Sequence, residues 1–161
     1  MNRVRLFRLE LRRLFRSRLT WLVMLLTLLS PAVGLYLYRP LYSTSATGYV
    51  TTTLGAYVAN PALTGGLLGA IFFAVLTIWE LDRVKRGGVE ALVHGAVSPL
   101  TEAVIRLAAL LCGSAVALVL TLLTWLPYTV HAVGAVFDWK SYLLMYLLFQ
   151  YGALPLAILF S

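Results

Sequence analysis

Six acidic residues, two histidines and one cysteine are nearly all that this 161-residue chain has of the groups that carry most catalysis and metal binding. The lone cysteine, Cys112, excludes an internal disulfide and any multi-cysteine metal site. It falls inside an apolar run and reads as a small buried hydrophobe. His94 and His131 lie in connectors on opposite sides of a hydrocarbon core about 30 Å thick, too far apart to share a metal. No H-E-x-x-H pair occurs, and no Ser-His-Asp set converges on one side. No Gly-x-x-x-x-Gly-Lys-[Ser/Thr] phosphate loop is present, so ATP hydrolysis by that route is excluded. These absences lead us to expect no catalytic residues, no metal and no cofactor, and any energy source is expected on another polypeptide.

Charge of either sign is scarce too. Only 12% of residues are charged and 61% are hydrophobic, with a mean hydropathy of +0.88. A soluble chain carries about 25% charged and about 45–50% apolar residues. The excess does not suit a water-facing surface and places the chain among integral membrane proteins. The net charge of +7 is arranged as an orientation signal facing anionic lipid, not as a nucleic-acid surface.

Four apolar runs are long enough to cross a bilayer, which takes about 20 helical residues. They cover residues 19–38, 61–79, 107–126 and 142–160, and none holds an acidic residue. The runs are continuous, not alternating, so the expected fold class is an all-α, polytopic helical membrane protein forming a single transmembrane domain over 1–161. Pro31 and Pro155 fall within spans and mark kinks, since membrane helices tolerate proline. No acid inside a span is available to relay protons, which disfavours a proton-coupled carrier.

Eleven of the thirteen basic residues lie before the first span or between the second and third; Arg39 and Lys140 lie on the other side. The positive-inside rule then places both termini and the 80–106 connector in the cytoplasm, and the chain in the cell membrane. Tyr36, Tyr38, Tyr42, Trp125, Tyr128 and Trp139 gather near the opposite boundary as an aromatic belt. Residues 39–60 and 127–141 read as outer connectors. Before the first span, Val4, Phe7, Leu11, Leu14 and Phe15 share one helical face, while Arg5, Arg8, Arg12 and Arg16 share another. That pattern describes an amphipathic helix in the headgroup layer, where each arginine near an anionic surface contributes about 1 kcal/mol. In the second span, Gly65 and Gly69 form a Gly-x-x-x-Gly pair suited to close helix packing.

The 80–106 connector, ELDRVKRGGVEALVHGAVSPLTEAVIR, holds eight of the nineteen charged residues. Gly87 and Gly88 interrupt a helix continuing from the second span. Val89–His94 suits a short helix with Glu90 in its first turn, where the dipole favours an anion. Ser98 is placed to cap a new helix with Pro99 at its first position, and that helix runs into the third span. Val89, Ala91, Leu92 and Val93 make an apolar ridge beside charges, which suggests a partner surface.

This order of features resembles the membrane subunit of ABC-type exporters of the type-2 permease superfamily. Those permeases begin with an amphipathic elbow helix, and a cytoplasmic coupling helix joins their second and third spans. The matching positions here are Glu80 and Arg83, Gly87-Gly88, Glu90-Ala91-Leu92, Val97-Ser98-Pro99 and Arg106. The proline follows the Val-Ser pair instead of preceding it, and arginine stands at 106 where lysine is usual. The resemblance implies a permease subunit of an ATP-driven exporter, paired as a homo- or heterodimer with another permease subunit and contacting a cytoplasmic ATP-binding subunit through Gly88, Glu90, Leu92 and Val93. The family core has six spans where this chain has four, so the resemblance reads it as truncated or incomplete, or else as naturally short and completed by a partner. A small membrane scaffold or assembly protein without transport activity is the alternative reading of the same features.

Overall fold

Length, apolarity and capping dictate helices throughout, and a computed structural model of the chain is all-α. It describes residues 3–43, 55–86 and 98–161. Helix α1 (Arg3–Arg16) leads through Ser17 into α2 (Arg18–Ser43). A π-helical turn, Gly55–Ala59, opens α3 (Asn60–Arg86), and α4 runs over Pro99–Val133. The last helix, α5 (Trp139–Phe160), contains a second π-helical turn at Leu147–Tyr151. All four helices from α2 to α5 are long and apolar enough to cross a membrane, so the chain is a multi-span membrane protein.

Helix α3 is the hub, packed along α2 on one side and α5 on another. One core cluster takes Leu14 from α1, Val23 and Met24 from α2, Phe73 and Leu76 from α3, Leu110 and Ala117 from α4, and Leu154 and Ile158 from α5. A second, toward the other end, joins Val58, Ala62, Leu118, Tyr142 and Tyr146. Large side chains such as Leu25, Leu29, Ile71, Val75, Val119 and Leu123 point outward, as spans in lipid require. Cys112 is exposed among these outward positions and is not the buried hydrophobe its apolar neighbours suggest.

The α2–α3 and α3–α5 contacts are closer than ordinary side chains allow. A Cβ at Gly65 would lie 3.2 Å from Pro31 Cγ. One at Gly69 would meet Thr27 Cγ2 at 3.0 Å and Leu154 Cδ1 at 3.1 Å. At Gly66 a Cβ would overlap the Phe149 carbonyl oxygen, with the carbonyl carbon only 2.8 Å away. Gly66 therefore seats the main chain of the α5 π turn against α3.

Buried polar groups in the spans are mostly satisfied within their own helix. The hydroxyls of Thr27, Thr77, Thr121 and Thr129 each donate to the carbonyl four residues earlier, at 2.8–2.9 Å. Pro31 has no N–H for the Thr27 carbonyl, and the Ser30 hydroxyl donates to that oxygen at 2.6 Å instead. Near the same kink, the Trp125 indole N–H crosses from α4 to donate to the Leu28 carbonyl at 2.7 Å.

Several boundaries differ from the sequence reading. The residues read as an outer stretch from Pro127 continue α4 to Val133, with Pro127 and His131 inside the helix. Proline's φ is a helical φ, and the loss of one hydrogen bond does not end a long membrane helix. The helix stops at Gly134, whose φ of +63° suits glycine and whose N–H donates to the Val130 carbonyl. Helix α2 extends to Ser43, beyond the expected start of the outer connector at Arg39. Asp138 caps α5: its Oδ2 accepts from the Ser141 N–H (2.9 Å) and hydroxyl (2.6 Å), and its Oδ1 from the Lys140 N–H (3.2 Å). These donors, the Ser141 hydroxyl foremost, hold its carboxyl below the usual carboxylate range.

Glycine scanning checks this packing. Gly66→Ala is expected to lower the thermal stability of the detergent-solubilised chain by about 1–3 kcal/mol through overpacking. Gly152→Ala, whose Cβ would meet nothing within 4 Å, is expected to be neutral or mildly stabilising. Equal effects at the two positions would refute the close approach of α3 and α5. Separately, Ser30→Ala is expected to cost about 1–2 kcal/mol by stranding the Thr27 carbonyl, and Pro31→Ala to remove most of that cost by restoring a main-chain donor. A Ser30→Ala penalty unchanged in the Pro31→Ala background would contradict this account.

A charged crevice as the candidate functional site

Polar chemistry in the described residues concentrates where α1 meets the bases of α3 and α4. The site is built from α1 outward. Its buried ridge is Leu6 and Leu14, with Glu10 and Arg13 half-buried beside them. This face is rotated from the apolar face expected from sequence: Val4 is exposed, while Phe7, Leu11 and Phe15 are half-buried. The rotation follows from what α1 packs on. Leu14 joins the core beside Gly113 of α4, where an added Cβ would lie 3.3 Å from Leu14 Cδ2. The end of α1 is tied off locally. The Leu14 carbonyl accepts from Ser17 N–H at 3.1 Å, and the Phe15 carbonyl accepts from the Trp21 indole at 2.8 Å.

With that ridge seated, Arg13 reaches two carboxylates. One terminal nitrogen donates to Glu10 Oε1 at 3.2 Å, one turn back on α1. The other donates to Glu80 Oε2 at 3.0 Å, across on α3. The Glu80 side chain is 9% exposed and that of Arg13 33%, so this pair lies between a buried and a surface ion pair. Arg13 Nε is buried without a hydrogen-bond partner among the described residues. On α4, Arg106 pairs with Glu102 one turn earlier, both largely buried. Glu10, Arg13, Glu80 and Arg106, with Leu14, Leu81, Ala109 and Leu110, line a narrow, half-open crevice, about 330 Å³ when the open solvent at its mouth is included. Three helices thus contribute charges to one crevice at the edge of an apolar bundle. Such an arrangement can lock the helices together, and its charged pairs can exchange partners if the helices shift.

The residues singled out from sequence fall in different places. Gly65 and Gly69 face α2, at Pro31 and Thr27, with Leu154 of α5 also against Gly69. Ser98 occupies the position before the first residue of α4 and Pro99 follows it, but the Ser98 side chain makes no cap bond to the main chain. Its hydroxyl pairs with that of Thr101 at 2.7 Å, and the first turn is closed by the Ser98 carbonyl accepting from Glu102 N–H at 3.2 Å. Gly88, Glu90, Leu92 and Val93, named for contact with an ATP-binding subunit, lie outside the described residues, as does His94.

Sequence reasoning passed over Glu10 and Arg13. The available signal was that Glu10 is the only acid in the first 79 residues and stands three positions before an arginine. It also passed over Gln150, the chain's only glutamine, which is fully buried in the π turn of α5. Its amide nitrogen donates to Thr121 Oγ1 of α4 at 3.3 Å. Its Oε1 and the buried Tyr146 hydroxyl have no partner among the described residues. Among those residues, no group of three or more His, Cys, Asp or Glu side chains is placed to hold a metal ion. No protein-family model, curated protein or solved structure matches the chain.

A double-mutant cycle on Arg13 and Glu80 tests the crevice. Arg13→Ala is expected to cost about 1–3 kcal/mol in thermal unfolding, between the values for exposed and buried pairs. Once Glu80 is Gln, Arg13→Ala is expected to cost about half that or less, because the charge pair it would break is already lost. Strict additivity of the two substitutions would contradict a direct Arg13–Glu80 pair.

Proposed function

We propose that this chain is a permease-type subunit of an ATP-driven exporter, with α1 as its elbow and the 87–97 segment as its contact with a separate cytoplasmic ATPase subunit. One observation carries the reading: the two helices flanking that segment are long and are joined to α1 near their bases. Helix α4 has 35 residues, and at 1.5 Å per residue extends about 52 Å, against a hydrocarbon core of about 30 Å. Helix α3 has 27 residues and carries Glu80 and Asp82 beyond its apolar stretch. Both helices therefore run past their apolar stretches to the ends that flank this segment. A push on it reaches α3 through Glu80 and Arg13, and α4 through its own unbroken length.

In this reading the charged end faces the cytoplasm and the chain belongs to the cell membrane. A permease partner, identical or not, completes the pathway, and ATP is hydrolysed on the other subunit. Gly88, Glu90, Leu92 and Val93 are the proposed contacts. Closure of the ATPase pair would displace the segment and rock the spans against each other about the α2–α3 contact.

Affinity purification of the full chain from its native membrane, with its companions identified, tests the proposal. A companion bearing a phosphate loop is expected, and Glu90→Arg together with Leu92→Ala is expected to reduce its recovery about tenfold or more, as loss of a central contact does. Recovery without any phosphate-loop protein, or recovery indifferent to both substitutions, would overturn the reading.

A further inference from the structure

The outward face of α1 has no role in the crevice. At about 100° per residue, α1 divides into three arcs. Leu6, Glu10, Arg13 and Leu14 form the arc docked on the bundle. Phe7, Leu11 and Phe15 form a half-buried apolar arc. Arg5, Arg8, Arg12 and Arg16 form the third, and all four side chains are exposed. Flanking this third arc, Val4 is 62% and Leu9 58% exposed.

We propose that this third arc is a binding surface for anionic phospholipid, with the four guanidinium groups engaging lipid phosphates and Val4 and Leu9 entering the acyl boundary beside them. Charge complementarity carries the argument. Glu10 is the only acid in the first 79 residues, and it faces the opposite side, held by Arg13. The arginine arc therefore has no carboxylate of its own segment to neutralise it. Successive arginines recur three or four residues apart, so the four line one side of the helix over about 16 Å. Guanidinium groups bind phosphate oxygens through paired hydrogen bonds, and an array beside an apolar edge suits a bilayer surface better than a soluble anion. Depth agrees with this. Leu14 packs beside Gly113, within the apolar length of α4, while Arg13 is level with the charged crevice at its edge. The docked end of the arc is therefore level with the edge of the apolar bundle, where a headgroup layer would begin. This inference rests on α1 and its docking on the bundle, and does not depend on the exporter reading.

Lipid retention by the full chain, measured by native mass spectrometry from detergent doped equally with phosphatidylglycerol and phosphatidylcholine, tests it. The wild-type chain is expected to retain phosphatidylglycerol in about tenfold preference, falling as salt rises from about 0.05 to 0.5 M. The R5Q/R8Q/R12Q/R16Q variant is expected to bring the preference to near parity, and the four corresponding lysine substitutions to keep most of it. Undiminished preference in the glutamine variant would overturn the proposal. So would displacement of the lipid by inorganic phosphate at millimolar concentration, which would indicate a free-anion site. The salt titration needs no variant, and a preference insensitive to salt would overturn the proposal on its own.

Discussion

The Arg13 fork is the constraint on which the arrangement of this bundle's charged end depends. A guanidinium is costly to bring to the edge of an apolar bundle unless carboxylates meet it, and here one comes from its own helix and one from α3. That pairing turns α1 from a generic amphipathic segment into a docked element with a fixed rotation. The docked rotation then decides everything else about α1. Leu14 enters the core, Glu10 turns inward, and the remaining arginines are left on the outside.

The same economy of polar groups governs the spans. In lipid, no water satisfies a freed carbonyl, so each irregularity must be met from within. Ser30 meets the carbonyl that Pro31 frees, and Trp125 adds a cross-helix donor one residue along at Leu28. The buried Thr20 hydroxyl is one exception among the described residues, and the α5 π turn is another. It places Gln150 and Tyr146 fully inside the bundle with polar atoms unpaired among the described residues, and it presses its main chain on Gly66. Single π-helical turns inside α-helices are frequent at functional sites, and this one touches α3 at Gly66 and α4 at Thr121.

The architecture was largely legible in the sequence because lipid imposes a simple code. Each continuous apolar run fell inside one of the four long helices found, although α4 extends eight residues before and seven beyond its run, and the opposed faces of α1 announced an amphipathic helix. Side-chain pairing was not legible. Arg13 looks like six other arginines in the same segment, and only its register against Glu80, 67 positions away, separates it from them. Pro127 reads as a terminator because proline ends most soluble helices, yet in α4 it is simply accommodated. Ser98 has the residue type of a cap, but Thr101 competes for its hydroxyl. Periodicity reports which face is apolar. It does not report what that face will pack against, and the crevice is made by that second fact.

Cross-linking measures the docking of α1 most directly. With C112S removing the exposed native thiol, the L14C/G113C pair should cross-link in the intact membrane, directly or through a short bifunctional thiol reagent, because a Cβ at 113 would lie 3.3 Å from the Leu14 side chain in the docked state. Adding R13A should slow that reaction markedly by releasing α1 from Glu80. Failure of the pair to cross-link, or cross-linking unaffected by loss of Arg13, would contradict an α1 held on the bundle by the Arg13–Glu80 pair.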